Sequence, residues 1–126
     1  MKPDNLTLSA LRKTWILDFD GTLVVHNGYK NGGDEFLPGS KEFLTSIPKD
    51  DYVIILTARE KEVRSQTEQF LKIHNVRYDL ILFEIPMGER ILFNDSKPSG
   101  LKMSYSVECA RNQGLGSLKI IIDPVL

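Results

Sequence analysis

The chain has 126 residues, with 17 acidic against 16 basic side chains and a formal net charge of −1. This length suits one domain around one modest core, and near-balanced charge without a long basic run lacks the field that nucleic-acid binding draws on, so no nucleic acid partner is expected. Cys109 is the one cysteine, which excludes an internal disulfide and a Cys-rich zinc site and suits a reducing compartment; Met1 to Lys13 lacks a signal-like apolar core, and no run approaches the ~18–20 apolar residues of a membrane span, so a soluble cytoplasmic protein without membrane contact is expected.

Residues 1–13 place Leu6, Leu8 and Leu11 among polar neighbours, a pattern open to a short helix or a strand-like lead-in. Thr14 to Phe19 reads as a strand whose adjacent Trp15, Ile16 and Leu17 suggest cover on both faces, as in a parallel sheet. The run ends in two carboxylates one residue apart, Asp18 and Asp20, followed by Gly21 and Thr22. An ordinary strand exit explains one acid there, not two. Asn27-Gly28 between β-formers signals a hairpin, so residues 24–37 are expected to form a small β-hairpin flap beside the acidic strand end. Ser40 caps a predicted helix whose Phe43, Leu44 and Ile47 share one face until Pro48.

Tyr52 to Leu56 is a second apolar strand, ending at Thr57-Ala58-Arg59. Val63, Thr67, Phe70, Leu71 and His74 recur at helical spacing and predict an amphipathic helix over 60–74, with His74 at its end. Tyr78 to Phe83 reads as a third strand, Arg90 to Phe93 as a fourth leading into Asn94-Asp95-Ser96-Lys97-Pro98, Leu101 to Asn112 as a helix, and Leu118 to Ile122 as a final strand. Alternating strands and helices imply βαβ units and a mostly parallel sheet with helices on both sides. In such sheets ligands bind beyond the carboxyl ends of the strands, where Asp18, Asp20, Thr57 and Asn94-Asp95 are expected to gather. Acids brought together repel unless protons or a cation intervene. A hard divalent cation, Mg²⁺, suits carboxylates, carbonyls and phosphate oxygens, and Asp20 can offer its backbone carbonyl while its side chain serves proton transfer.

Asp18-Phe19-Asp20-Gly21-Thr22 resembles the signature motif of the haloacid dehalogenase superfamily in its phosphatase form. Ile54-Ile55-Leu56-Thr57 is similar to that family's second motif, and Leu92-Phe93-Asn94-Asp95 to its metal-binding fourth. The resemblance implies a Rossmann-like three-layer α/β domain without a cap, and a Mg²⁺-dependent phosphatase working through an aspartyl-phosphate. It makes Asp18 the nucleophile and Asp20 the acid that protonates the leaving oxygen and later activates water. Thr22 would steady the loop, Thr57 would hydrogen-bond the phosphoryl group alongside Ala58, and Asp95 with Asn94 would complete a metal site with Asp18 and Asp20.

The family's third-motif Lys is missing from Phe83 to Arg90; Arg90, Lys97 and Arg59 are the candidate replacements, with Lys97 preferred. Intervals too short for a cap imply an open site, with Tyr29, Lys30 and His26 of the flap as substrate contacts. The resemblance to capless members implies a site that takes larger substrates or is closed by a neighbouring subunit of a dimer or tetramer, and the association of short capless members with sugar-phosphate metabolism suggests a small-molecule phosphate ester, a sugar phosphate or related metabolite, as substrate. The alternative is a phospho-ligand-binding regulatory module without turnover. A receiver-type signalling domain is the third reading, disfavoured because its phosphoacceptor Asp follows a later strand.

Overall fold

The computed structural model describes residues 5–126. The expectation for residues 1–13 therefore falls partly outside them. Its described part settles on the strand option: Leu6–Leu8 (β1) pairs in parallel with Ile120–Ile122 (β5) as a two-stranded ribbon. A second, three-stranded parallel sheet has the order Thr14–Asp18 (β2), Tyr52–Leu56 (β3), Leu80–Leu82 (β4), with Asp18 opposite Leu56 and Leu56 opposite Leu82. Ser40–Ser46 (α1) links β2 to β3, and Arg64–Ile73 (α2) links β3 to β4. This is a small α/β arrangement of parallel sheets, consistent with a Rossmann-like fold.

Parallel neighbours entered by right-handed crossovers in one direction place both connecting helices on the same face. The burial pattern agrees. Val53, Ile55 and Ile81 form one core cluster with Leu44 of α1, Ile47 just after it and Leu71 of α2, and Trp15 and Leu17 pack against it. Burying a side chain of this kind contributes about 1.5–3 kcal/mol. On the opposite face the row Ile16, Ile54, Leu80 is less covered, with Ile16 half-exposed. The expectation of cover on both faces is corrected accordingly, because the chain that would supply a second helical layer stays irregular.

That irregular chain accounts for two further corrections. Among the described residues, 83–119 contain neither helix nor strand. The predicted strand Arg90 to Phe93 has no partner edge to complete its hydrogen bonds, and Ile91, Leu92 and Phe93 are exposed. The predicted helix Leu101 to Asn112 does not form either. It carries two serines, a tyrosine, a valine and a cysteine at 104–109, all weaker helix formers than alanine or leucine.

The flap is also not a hairpin. Asn27 adopts the left-handed conformation at φ 57°, but Gly28 does not follow it there and instead starts a 3₁₀ turn over Gly28–Lys30. A two-residue type I′ turn needs positive φ at both positions. What remains of the hairpin is a lone antiparallel bridge between Val24 and Phe36, with Val25 N–H donating to the Glu35 carbonyl at 3.0 Å. The predicted helix over 60–74 begins late, because Lys61–Val63 forms a 3₁₀ turn first. Pro38-Gly39 and Gly114-Leu115 lie against each other: Leu115 N–H donates to the Pro38 carbonyl at 2.9 Å, and a Cβ on Gly114, at φ 78°, would collide with that carbonyl. No helix of the described residues is long and apolar enough to cross a membrane.

Candidate functional site

β2 ends at Asp18, and Phe19 continues the ladder by donating its N–H to the Leu56 carbonyl at 3.1 Å. The chain then doubles back: Leu23 and Val24 N–H both donate to the Phe19 carbonyl, and Gly21 N–H donates to that of Val24 at 2.7 Å. Gly21 sits at φ 84°, a left-handed conformation that suits glycine. Over this turn lies the segment after Cys109, where Asn112 N–H donates to the Gly21 carbonyl at 2.8 Å and the Asn112 side-chain oxygen accepts the His26 N–H at 2.8 Å. A Cβ on Gly21 would touch Arg111 and His26. Asn112 and Arg111 carry no sequence motif that could have announced this contact.

The turn presents the two acids to different surroundings. Asp18 is open, 38% exposed at its side chain, and accepts from the Thr22 hydroxyl at 3.0 Å and from Arg90 Nη1 at 3.1 Å. Asp20 faces inward. Its oxygens accept from the Thr57 hydroxyl at 2.9 Å and from Arg59 Nε and Nη2 at 3.1 and 2.9 Å. Thr57 reaches Asp20 because β3 ends beside β2, and Arg59 N–H in turn donates to Thr57 Oγ1 at 3.2 Å.

Arg59 is buried, its side chain 1% exposed, and pairs also with Asp34, whose side chain is 2% exposed. Burial opposes the Arg59 charge, but the hydrogen bonds and charges of Asp34 and Asp20 outweigh it and hold its pKa above the ordinary value. Tyr29 packs its ring 4.1 Å from the guanidinium carbon. Arg59 and Tyr29, both expected to touch substrate, are thus engaged with each other, while Ala58 and Lys30 are exposed. Of the candidates for the missing cation, Arg90 is the one in contact with Asp18.

Asn94, Asp95 and Lys97 lie elsewhere, along an exposed depression shared with Leu101 and Met103. The Asn94 amide donates to the Met103 carbonyl at 3.1 Å and its oxygen accepts the Asp95 N–H at 2.9 Å. Among the described residues no group of three or more His, Cys, Asp or Glu side chains is arranged to hold a metal ion. Mg²⁺ needs one or two carboxylates with free oxygens beside the substrate phosphate. Asp18 keeps lone pairs free and Asp20 could still offer its backbone carbonyl, but Asn94 and Asp95 line a separate depression, so the expected set of Asp18, Asp20, Asn94 and Asp95 is not gathered into one Mg²⁺ site as arranged.

Cys109 supplies a probe of this turn. Burial, and secondarily the Asp18 charge, push its thiol pKa up, so less thiolate is present at a given pH. Alkylation at pH 8 is expected to be slower than for a free thiol and to quicken in Asp18→Asn, measured with iodoacetamide under matched conditions. An unchanged rate in the variant would show that Cys109 does not sense Asp18.

No family model matches the chain, and no curated protein does. Two solved structures are similar to it. One is a chain of the Pnkp1/Rnl/Hen1 RNA repair complex, with a TM-score of 0.50 and 31% identity over 64% of this chain and 28% of that one. The other is a chain of a Pnkp1/Rnl/Hen1 complex, with a TM-score of 0.50 and 30% identity over 72% of this chain and 33% of that one. The chain spans about a third of the length of the solved chains it matches. These findings correct two expectations. Membership of the haloacid dehalogenase superfamily is not upheld, since no family model or curated protein supports it and the similar structures are RNA repair chains. The exclusion of nucleic acid, with a small-molecule ester in its place, is overturned by the same likeness: near-neutral net charge speaks against wide backbone contact but not against recognition of one phosphate.

Proposed function

We propose that the chain is a phosphomonoesterase acting on a terminal phosphate of RNA. The observation that carries the reading is the pair of acids on one turn in opposite settings, Asp18 open beside Arg90 and Asp20 held by Thr57 and Arg59. An exposed carboxylate next to a guanidinium is suited to attack a phosphate dianion, because the cation offsets the repulsion of two anions. Asp18 Oδ forms a bond to phosphorus as the bond to the leaving oxygen breaks, and Asp20, which must enter the cycle protonated with Asp34 left to balance the Arg59 charge, passes that proton to the leaving oxygen. Water then attacks the aspartyl-phosphate with Asp20 taking its proton, which releases inorganic phosphate and restores Asp18. Thr22 orients Asp18 throughout. RNA enters from the likeness to the repair-complex chains, and a terminal phosphate of RNA is a phosphate monoester, the class of group this pair of acids is suited to attack.

The test is phosphate release from oligoribonucleotides bearing a 3′- or 5′-phosphate, beside sugar phosphates and p-nitrophenyl phosphate, each with Mg²⁺ and with EDTA. Release from an RNA end ahead of the small esters is expected. Release from sugar phosphates alone would return the substrate to small metabolites. Binding without release from any ester would favour a regulatory phospho-ligand module, a reading supported by the full engagement of Asp20 as an acceptor.

A further inference from the structure

Each N–H of the Arg59 guanidinium has an acceptor. Asp34 takes the end-on fork, Nη1 to Oδ2 at 2.9 Å and Nη2 to Oδ1 at 2.6 Å. Asp20 takes the side-on edge through Nε and the other Nη2 proton, and the Thr67 hydroxyl accepts the remaining Nη1 proton at 2.8 Å while donating its own to the Val63 carbonyl. The rings of Phe19 and Tyr29 lie 4.8 and 4.1 Å from the guanidinium carbon. While Asp20 is ionised, charge balance alone does not require Asp34, since one carboxylate already matches one guanidinium. A second buried carboxylate adds repulsion toward Asp20, and what it contributes is geometry, because a bidentate end-on pair fixes the plane and rotation of the fork.

We propose that Asp34 is a positioning residue for Asp20: it locks the end-on fork of Arg59 and so aims the side-on edge that holds the Asp20 carboxylate two residues beyond Asp18. Its kinetic consequence rests on the phosphatase reading above. Asp34 reaches the fork because the 24–37 segment is closed on itself, with Gly33 N–H donating to the Gly28 carbonyl and Leu37 N–H to that of Leu23. The proton-transfer group is thereby aligned by a residue on a segment that the sequence presents as a surface flap.

The test compares wild type with Asp34→Asn, whose amide group cannot accept both N–H bonds of the fork. Misplacement of a reacting group by about 1 Å costs up to about 100-fold, so kcat is expected to fall on that order with KM within about twofold. In Arg59→Lys, which keeps the charge but has no fork, adding Asp34→Asn is expected to cost little more, because Asp34 acts through the guanidinium. Losses that multiply in the double variant, or a folded Asp34→Asn with wild-type kcat, would overturn the proposal.

A second readout needs no turnover. The Arg59 Nε proton, followed by nitrogen-15 NMR, is expected to exchange slowly in wild type and at least about tenfold faster in Asp34→Asn, as local opening exposes it; unchanged exchange overturns the proposal. Should wild type release phosphate from no ester, the phosphatase reading falls and the exchange rate alone decides whether Asp34 orients Arg59. Should Asp34→Asn fail to fold, Asp34→Glu keeps the ion pair but moves the fork by one methylene. There, kcat lowered about tenfold at unchanged KM supports the proposal, and wild-type kcat overturns it.

Discussion

Asp18→Asn is expected to lose phosphate release by on the order of 10⁴-fold or more, the scale on which removal of a covalent nucleophile is felt. The amide keeps the shape of the carboxylate and one oxygen to accept from Thr22 or Arg90, and the side chain is 38% exposed, so the fold has little reason to change. Equal melting temperatures with abolished release, read on whichever ester the screen identifies, would assign the loss to chemistry. Turnover close to wild type in the variant would remove Asp18 from the reaction and with it the aspartyl-phosphate.

The second large effect is on stability. Arg59→Met leaves Asp20 and Asp34 facing one another without the cation that pairs them, in a setting where the arginine is 1% and Asp34 2% exposed. Removing one partner of a buried ion cluster costs about 3–5 kcal/mol, because the charges left behind are neither solvated nor paired. Urea unfolding at pH 7 should show a midpoint lowered accordingly. A variant in which Asp20→Asn and Asp34→Asn accompany Arg59→Met is expected to recover most of the loss, since neutralising a buried cluster as a whole is far cheaper than breaking it. A single Arg59→Met variant as stable as wild type would show that the cluster is solvated in solution.

What was legible in the sequence follows from how each feature is encoded. β2 and β3 are unbroken apolar runs with polar residues directly after them, so their position and parallel pairing could be read to within a residue. The placement of Asp18, Asp20 and Thr57 beside one another follows from that pairing alone. α1 was marked by Ser40 at its start and Pro48 at its exit, although Gly39 takes the capping position and Ser40 is the first helical residue. Arg90 to Phe93 had the same local signal as a strand, but a strand exists only where a neighbour offers an edge, and local propensity is silent about that.

The Arg59 cluster lay beyond such reading for a related reason. Asp34 stands among glycines and a second acid in what looks like a solvated loop, and its partner is 25 positions further on. Arg59, read as a hand for substrate, is instead turned inward. Nothing in either residue's surroundings encodes the meeting; closure of the 24–37 segment and the end of β3 do so only together.

The ribbon of β1 and β5 joins opposite ends of the described chain, whereas β2, α1, β3, α2 and β4 follow one another in sequence, with residues 19–39 the one longer connection among them. Closing a loop that encloses nearly the whole molecule carries a large entropy cost before any contact compensates it, so this ribbon should form after the three-stranded sheet and fray before it. The backbone bonds of the turn between β2 and the 24–37 segment belong to the early, locally wired part of the chain. The final geometry of that turn is complete only when Arg90 and Asn112, from the segment after β4, close over Asp18 and Gly21.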